Sequence, residues 1–305
     1  MTRNLNPEQI KKLFSQITVW RRGAERAPHK PLLLLYALAK CSRRASRRMT
    51  YREVDAELRK LLIEFGPTRK SYHTEYPFWR LQNDGIWELQ GIEGIKPRLS
   101  NTEAKKSDLL KFNPTGGFSK PIYDALKRNP ALLWLIANEI LESNFPSSIH
   151  EDILAAVGLN DEALHYLHRK RDPMFRTRVL TAYEYRCSVC NYDVRLGITP
   201  LGLEAAHIKW HQAGGPCIES NGLALCSIHH KMFDRGAFTL SDKFEILVSE
   251  SVNGSQGVDE WLLKYHGSRI RPPQSPSYSP EFHFLRWHRD QVFHAPSRYL
   301  GDGLV

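Results

Sequence analysis

The chain has 305 residues, which is long for a single core and comfortable for two domains, and its 41% hydrophobic and 25% charged residues are ordinary for a globular protein. The 43 Lys and Arg against 33 Asp and Glu give a net charge of +10, which suggests a polyanionic partner, nucleic acid first; the alternative that charge alone leaves open is a generically basic soluble protein. The N-terminus has no apolar signal core and the longest apolar run, PLLLLYALA, cannot span a bilayer, so we expect a cytoplasmic protein with no membrane partner.

The first part of the chain predicts helices. NPEQIKKLFSQI begins with Asn6 as a cap and Pro7 at the first helical position. KPLLLLYALAK is apolar nearly all round, which indicates a buried helix. TYREVDAELRKLLIEFG has Thr50 and Glu53 in capping-box positions and ends at Gly66.

A β-hairpin is predicted next, because the aromatic-rich stretches YPFWRL and IWEL flank the turn signal QNDG. Helices followed by a hairpin are similar to a winged-helix arrangement, so the predicted fold class is α+β. Helical character returns at PIYDALKRNPALLWLIANEILESNF, which is broken at Pro130. We place the boundary so that the two domains are residues 1–160 and 161–305.

The second part opens with a basic stretch of helical character. Such runs are usually solvated faces, but the net charge and the residues downstream favour contact with DNA. The basic residues concerned are Arg169, Lys170, Arg171, Arg176 and Arg178.

Two short motifs have the spacing of metal knuckles: C-x-x-C in CSVC and C-x-x-H in CSIH. Thiolate and imidazole ligands in two such pairs suit structural zinc, and an odd count of five cysteines in a reducing compartment favours metal over disulfides. The alternatives are that the cysteines are small buried hydrophobic residues, or that Cys217 competes with Cys226. The predicted ligands are Cys187, Cys190, Cys226 and His229.

The phrases LEAAHI and NGLALCSIHHKMFDRG, with the lead-in FRTRVLTAYEYRCSVC, resemble the HNH nucleases, whose fold is ββα-metal. The resemblance covers roughly residues 165–240. Phosphodiester hydrolysis needs a general base and a cation that stabilises developing charge. The resemblance implies that His207 is the base, that His230 binds the cation, and that Asn221 orients the loop and holds the base.

The candidate cation site departs from the family pattern at Ala206, where many members have a ligand. Glu204 lies on the same strand face and is expected to supply the missing carboxylate. Asp234 lies four residues after His230, on the same side of a helix, and is expected to be a second ligand. His229 and His230 point about 100° apart on a helix, so we expect them to serve two different metals.

The segments RGAERAPHKPLLLLYALA and YHTEYPFWRLQNDGIWEL, with FLRWHRDQVFHAPSR near the C-terminus, resemble bacterial restriction endonucleases that recognise phosphorothioate-modified DNA through a sulfur-binding domain. Sulfur is larger, softer and less hydrated than oxygen, and should prefer a shallow apolar pocket. The walls predicted for that pocket are Tyr76, Pro77, Phe78 and Trp79, of which at least one of the last two should belong to the core. The predicted phosphate-binding groups are Arg26, His29 and Lys30 at a helix entry, with Arg80 and Lys120 on the flanking backbone.

Together these features predict a type IV-like restriction endonuclease for phosphorothioate-modified double-stranded DNA. The predicted cofactors are a structural Zn²⁺ and a catalytic divalent cation such as Mg²⁺ or Mn²⁺. Since one HNH site cuts one strand, a homodimer is expected. The alternatives are an HNH enzyme that reads another modification, such as methylated cytosine extruded into an aromatic cage, or a non-catalytic zinc-containing DNA-binding protein.

Overall fold

The computed structural model describes residues 6–17, 25–98, 103–159 and 173–299. Their contacts form two compact units, which we call the N-terminal unit and the nuclease-side unit. The N-terminal unit holds residues 27–144 and 150–159 together with 6–17, and the nuclease-side unit holds 173–299 together with the short segments 25–26 and 145–149. Residues 160–172 lie outside the described residues, so the boundary at 160 stays a prediction.

The N-terminal unit is mostly helical. Its helices are α1 (Pro7–Ser15), α2 (His29–Ser42), α3 (Tyr51–Phe65), α4 (Glu75–Arg80), α5 (Lys106–Phe112), α6 (Lys120–Arg128), α7 (Pro130–Asn144) and α8 (His150–Val157). Its strands are β1 (Met49–Thr50), β2 (Trp87–Gln90) and β3 (Thr115–Phe118), which form one antiparallel sheet in the order β1-β3-β2.

The predicted caps are present at two helices. At α1, the Asn6 side chain accepts a hydrogen bond from the Gln9 backbone N–H at 2.8 Å, and the Gln9 side-chain oxygen accepts one from the Asn6 backbone N–H at 3.0 Å. At α3, Thr50 accepts from the backbone N–H of Glu53 at 3.2 Å, and the helix ends before Gly66. These caps satisfy backbone donors that a helix start otherwise leaves unpaired.

The core of the N-terminal unit is built around α2, which packs against α3, α4, α6, α7 and α8. Nine consecutive residues of α2, 31–39, are buried, as the apolar sequence predicts. Burial of a helix on all sides removes a large apolar area from water, which is the main source of its stability.

The predicted strand at YPFWRL is wrong, because these residues form α4 and the start of a 3-10 turn at Leu81–Asp84. Pro77 lies in the first turn of α4, where the missing N–H costs nothing. Gly85, at φ +72°, ends the 3-10 turn. The second predicted strand exists as β2, but its partner is β3, with Trp87 opposite Phe118.

The nuclease-side unit contains a two-stranded sheet with a helix packed on it. Strand β6 (Leu203–His207) pairs antiparallel with β7 (Gly222–Cys226), and His207 lies opposite Gly222. The helix that follows β7 directly is α10 (Ser227–Asp234), and it contacts both strands. This ββα unit has the fold that the sequence predicts for residues 203–234.

The remaining elements of the nuclease-side unit surround this ββα unit. They are α9 (Pro173–Ala182), β4 (Arg195–Leu196), β5 (Thr199–Pro200), β8 (Phe238–Leu240), β9 (Ile246–Val248), α11 (Gln256–Trp261) and α12 (Phe282–Gln291). Helix α9 contacts β6 and β7, and α12 contacts β8. Among the described residues, none of the helices of either unit is long and apolar enough to cross a membrane.

Candidate active site and metal centre

The cysteine and histidine side chains of the two predicted knuckles come together. The ligand atoms of Cys187, Cys190, Cys226 and His229 all lie within 4.8 Å of one another. Nδ1 of His229 lies 3.1 Å from Sγ of Cys226 and 3.7 Å from Sγ of Cys187, and Sγ of Cys190 lies 3.9 Å from Sγ of Cys226. Within the described part of the chain this is the one group of three or more metal-ligating side chains drawn together so closely.

This geometry fits a tetrahedral zinc ion. Zn–S bonds of about 2.3 Å place the sulfurs of a tetrahedron about 3.8 Å apart, close to the separations found here. The other nitrogen of His229, Nε2, lies 2.8 Å from the carbonyl oxygen of Trp261, which fixes the ring with Nδ1 toward the cysteines.

The second histidine of the pair, His230, lies between two carboxylates. Its Nδ1 is 2.5 Å from Oε2 of Glu204 on β6, and its Nε2 is 3.0 Å from Oδ2 of Asp234, one helical turn further along α10. The structure therefore brings together the three residues predicted for the catalytic cation. The two carboxylates contact opposite nitrogens of the same ring.

Charge and burial act in opposite directions on His230. Burial by itself lowers the pKa of this imidazole, but the carboxylates of Asp234 and Glu204 outweigh it and raise the pKa to about 9. Burial likewise raises the pKa of Asp234, and the neighbouring His230 outweighs it, so that this pKa is lowered. The trio is thus held together by charge-assisted hydrogen bonds.

The predicted base, His207, is the last residue of β6 and is partly exposed. Its ring stacks on Phe175 of α9, with centroids 3.9 Å apart and an interplanar angle of 15°. Its Nε2 lies 3.5 Å from Sγ of Cys217. Stacking on Phe175 holds the His207 ring at the end of the strand.

Asn221 fixes the loop that follows the base. Its side-chain oxygen accepts from the backbone N–H of Lys209 at 2.8 Å, and its amide donates to the carbonyl oxygens of Lys209 at 3.0 Å and Pro216 at 2.9 Å. The residue is completely buried, so these bonds also satisfy an amide that would otherwise be costly to bury. Gly215 allows this close approach, since a Cβ there would lie 1.8 Å from the carbonyl oxygen of Lys209.

Two of the basic residues predicted to contact DNA are held by the protein itself. Arg176 donates to the carbonyl oxygen of Leu203 at 2.9 Å, and Arg178 donates to that of Cys217 at 2.6 Å. Arg176 therefore holds the start of β6, and Arg178 holds the loop that contains Cys217. The other three, at 169–171, lie outside the described residues.

Of the residues predicted to bind the modified phosphate, two lie at the start of α2. Burial, followed by the charge of His73, lowers the pKa of His29 to about 4, so its imidazole is neutral near pH 7. Lys30 forms a largely buried ion pair with Asp84 at 2.5 Å. The carboxylate of Asp84 therefore neutralises the charge of Lys30 in the absence of a phosphate ligand.

Arg26, the third residue predicted at this helix entry, is grouped with the nuclease-side unit. Its guanidinium lies 3.9 Å from the centroid of the Trp210 ring and donates to the carbonyl oxygen of Gln291 at 2.8 Å. Its contact with the modified phosphate stays a prediction.

The predicted pocket walls on α4 divide into core and surface. Phe78 is completely buried, with its ring edge-to-face against Tyr51 and Trp87, and Trp79 and Pro77 are also buried. Tyr76 alone of the four is half-buried. Phe78 and Trp79 both belong to the core, which agrees with the prediction that at least one of them would.

Around Tyr76 the structure assembles a surface that includes a residue the sequence analysis missed. The imidazole of His73 stacks on the Tyr76 ring at 4.9 Å, and the guanidinium of Arg80 lies 4.8 Å from the centroid of the same ring. Arg80 is also paired with Glu103, and His73 with the buried carboxylate of Glu75 at 2.9 Å. His73 lies two residues before α4 begins, so helical periodicity does not reveal it.

Lys120 lies at the first position of α6. Its exposed side chain forms an i, i+4 ion pair with Asp124 at 2.8 Å. Such exposed pairs contribute little to stability and exchange readily for another anion.

Comparison with known families gives one match in the first part of the chain and another in the second. Residues 7–162, slightly more than half of the chain, match the family described as ScoMcrA-like, DNA sulfur-binding domain. Residues 187–241 match the family described as HNH endonuclease. Both resemblances drawn from the sequence are thereby confirmed. Comparison with the curated proteins gives no match.

Among solved structures, the chain is similar to the sulfur binding domain of ScoMcrA complexed with phosphorothioated DNA. The identity is 21% over 49% of this chain and 94% of that one, with a TM-score of 0.44. The corresponding domain of SprMcrA gives 21% identity over 52% of this chain and 98% of that one, with a TM-score of 0.42.

A further similarity is to the type IV phosphorothioation-dependent restriction endonuclease ScoMcrA. It has 20% identity over 49% of this chain and a TM-score of 0.42, and the chain spans 32% of that enzyme's length. At these TM-scores the backbones differ too much to place individual residues, and the family matches carry the assignment. The chain therefore belongs to the ScoMcrA-like DNA sulfur-binding domain family, and it carries an HNH endonuclease domain after that domain.

Proposed function

We propose that the protein is a restriction endonuclease that binds phosphorothioate-modified double-stranded DNA and hydrolyses phosphodiester bonds near the modification. The observation that carries the proposal is the presence, in one chain, of a DNA sulfur-binding domain and an HNH domain. In the latter, His207 ends β6, Asn221 immediately precedes β7 and His230 lies on α10, which supports the roles that we propose for them. The net charge of +10 suits a polyanionic substrate.

The recognition surface that we propose is centred on Tyr76. The aromatic ring offers sulfur a poorly hydrated contact, and His73 and Arg80 on the same ring supply donors for the oxygen that remains on the phosphate. His29, neutral near pH 7, is a hydrogen-bond donor rather than a charge. Lys30 and Lys120 would have to leave their carboxylate partners to join this surface, so we assign them a secondary role.

For the nuclease-side unit we propose two metals. Zn²⁺ is held by Cys187, Cys190, Cys226 and His229, and its role is structural because all four positions are occupied by protein ligands. A divalent cation such as Mg²⁺ or Mn²⁺ is held by His230 with Glu204. When bound, it supplies stabilisation of the negative charge that develops on the phosphate and the leaving oxygen.

The protein residues divide the remaining work. His207 in its neutral form takes the proton from the attacking water, and its stacking on Phe175 keeps the ring in one orientation. Asn221 keeps the loop after His207 in place through its three hydrogen bonds. Positioning of this kind lowers the entropic part of the barrier.

We also propose a homodimer, since a double-strand break requires two HNH sites. For the N-terminal unit we propose a winged-helix-like arrangement. Its support is the antiparallel order β1-β3-β2, with helices before and between the strands. The connection between β2 and β3 is long, residues 91–114, so these two strands do not form a tight hairpin.

The test uses matched duplexes that differ in a single phosphorothioate, with a third duplex carrying methylated cytosine, in the presence of Mg²⁺ or Mn²⁺ at moderate salt. We expect cleavage and tight binding only of the phosphorothioate duplex. Equal cleavage of the plain duplex would refute modification dependence, and preferential cleavage of the methylated duplex would transfer the function to another modification. Failure to cut any duplex would leave a DNA-binding protein.

A further inference from the structure

A line of hydrogen bonds passes through His230 from the surface into the core. Ser227 donates to Oε1 of Glu204 at 2.9 Å, and Oε2 of the same carboxylate contacts Nδ1 of His230. On the other side of the ring, Nε2 contacts Asp234, whose Oδ2 accepts a hydrogen bond from the hydroxyl of Ser148. Ser148 comes from the segment 145–149, which belongs to the nuclease-side unit although it lies 86 residues before Asp234 in sequence.

The two carboxylates at the ends of the imidazole differ in exposure. The side chain of Glu204 is 45% exposed, that of His230 is 8% exposed, and that of Asp234 is 2% exposed. A cation that acts on phosphate must keep open positions for water and substrate. Only the Glu204 side of the ring offers such access.

The Asp234 side has a different arrangement. Asp234 is enclosed, and the same oxygen that meets the imidazole already accepts a hydrogen bond from Ser148. A histidine that binds a metal through one nitrogen characteristically gives the N–H of the other to a carboxylate, which fixes its tautomer and makes the ligand more basic. Asp234 stands in that relation to His230.

We infer that Asp234 is a positioning residue for His230 and not a cation ligand, and that the Ser148 hydroxyl holds Asp234 in place. Nδ1 is then the metal-binding nitrogen, with Glu204 as the companion ligand. This inference rests on the proposed function of the site, and it assigns Asp234 a different role from the one expected from its i+4 spacing. It also makes Ser148, far outside the HNH match, part of the catalytic machinery.

The first experiment is ¹⁵N NMR of the full chain labelled at histidine. The protein already holding its structural zinc is titrated with further Zn²⁺ as a diamagnetic probe, and a His230→Gln spectrum assigns the signals. We expect Nδ1 of His230 to take the shift of a metal-bound nitrogen while Nε2 keeps its proton. Metal on Nε2, or no response at either nitrogen of His230, would overturn the inference.

The second experiment measures Mn²⁺ binding by calorimetry. Asp234→Asn should weaken binding by about 10- to 100-fold, as the loss of an orienting carboxylate does, whereas Glu204→Gln should abolish it. Ser148→Ala should give a smaller loss than Asp234→Asn, and Ser148→Thr, which keeps the hydroxyl, should restore most of it. Ser277→Ala, at an exposed serine, is the matched control and should bind like the wild type.

Equal abolition of Mn²⁺ binding by Asp234→Asn and Glu204→Gln would make Asp234 a ligand and overturn the inference, as would unchanged binding in Ser148→Ala. Structural zinc content and the melting temperature establish that each variant is folded. If Asp234→Asn does not fold, the NMR measurement on the wild-type chain still decides. Neither experiment uses DNA, so failure to cleave the modified duplex would refute the proposed function without touching this result.

Discussion

The imidazoles of His229 and His230 are consecutive on α10 and belong to two different clusters. His229 Nδ1 lies 3.1 Å from Sγ of Cys226, whereas His230 Nδ1 lies 2.5 Å from Oε2 of Glu204. Successive side chains on a helix point about 100° apart, so a single turn of α10 places one histidine in each of the two clusters.

The first prediction follows from this division. His229→Ala should lose the zinc and lower the melting temperature by several degrees, because it removes a ligand from a cluster that holds the ββα unit together. His230→Ala should keep its zinc and lose at least about a hundredfold in cleavage. Zinc content by mass spectrometry, calorimetric melting and a cleavage assay measure the three quantities. Equal zinc loss in both variants would mean that the two histidines share one site.

The second prediction concerns the base. His207→Ala should slow cleavage by about 10²- to 10⁴-fold, the usual contribution of a general base, with unchanged binding of the modified duplex. His283→Ala, at an exposed histidine on α12, serves as the matched control and should cleave normally. Single-turnover rates and a binding assay on the same samples make the comparison, and cleavage at the wild-type rate would remove His207 from the mechanism.

The third prediction tests the recognition surface. Tyr76→Ala should weaken binding of the phosphorothioate duplex by about fivefold, since the ring contributes an aromatic contact of about 1 kcal/mol, and should leave binding of the plain duplex unchanged. Tyr299→Ala, at a tyrosine that is 73% exposed, is the control. Equal weakening on both duplexes would make Tyr76 a general backbone contact and not a sulfur contact.

The fourth prediction concerns pH and stability. His288 is completely buried, with Nδ1 2.8 Å from the Thr239 hydroxyl and Nε2 3.1 Å from the carbonyl oxygen of Phe233, and burial lowers its pKa to about 3. A depressed histidine pKa means that the unfolded chain takes up a proton first. The stabilisation is therefore complete above the ordinary pKa of 6.5 and is lost as pH falls from there toward 3.

Through His288 alone, acidification from pH 7 to pH 5 should lower the free energy of unfolding by about 2 kcal/mol. Denaturant titrations at both pH values, on the wild type and on His288→Gln, measure the difference. The variant should be less stable at pH 7 and should lose less on acidification. An identical pH slope in the two proteins would show that His288 does not titrate on unfolding.

Much of the nuclease site could be predicted from the sequence because its residues lie close together in it. Cys226, His229 and His230 fall within one strand end and one helix, so local periodicity fixes their directions. Ser148 could not be predicted, since its only signal is a contact across 86 residues of chain. The burial of Asp234 depends on the same long-range packing.

The N-terminal unit was harder to predict for a different reason. Aromatic residues favour strands, and a run such as YPFW is typical of one, but four consecutive residues do not separate a period of 2 from a period of 3.6. The surrounding core decides the matter: Phe78 is enclosed between Tyr51 and Trp87, which belong to two different elements. Of the predicted pocket walls, only Tyr76 is left partly exposed, and its contact with sulfur stays a prediction.

The placement of residues 25–26 and 145–149 in the nuclease-side unit has a practical consequence for dissecting the protein. The nuclease-side half is discontinuous along the chain, and a fragment that begins at residue 161 lacks both the Arg26 guanidinium on Trp210 and the Ser148 hydroxyl on Asp234. Swapping recognition domains between relatives at the apparent linker would break the same two contacts. A simple exchange of the recognition domain at one junction should therefore destabilise the nuclease-side unit. A chimaera that keeps residues 25–26 and 145–149 from the same parent as the nuclease-side unit should be more stable than one joined at a single point.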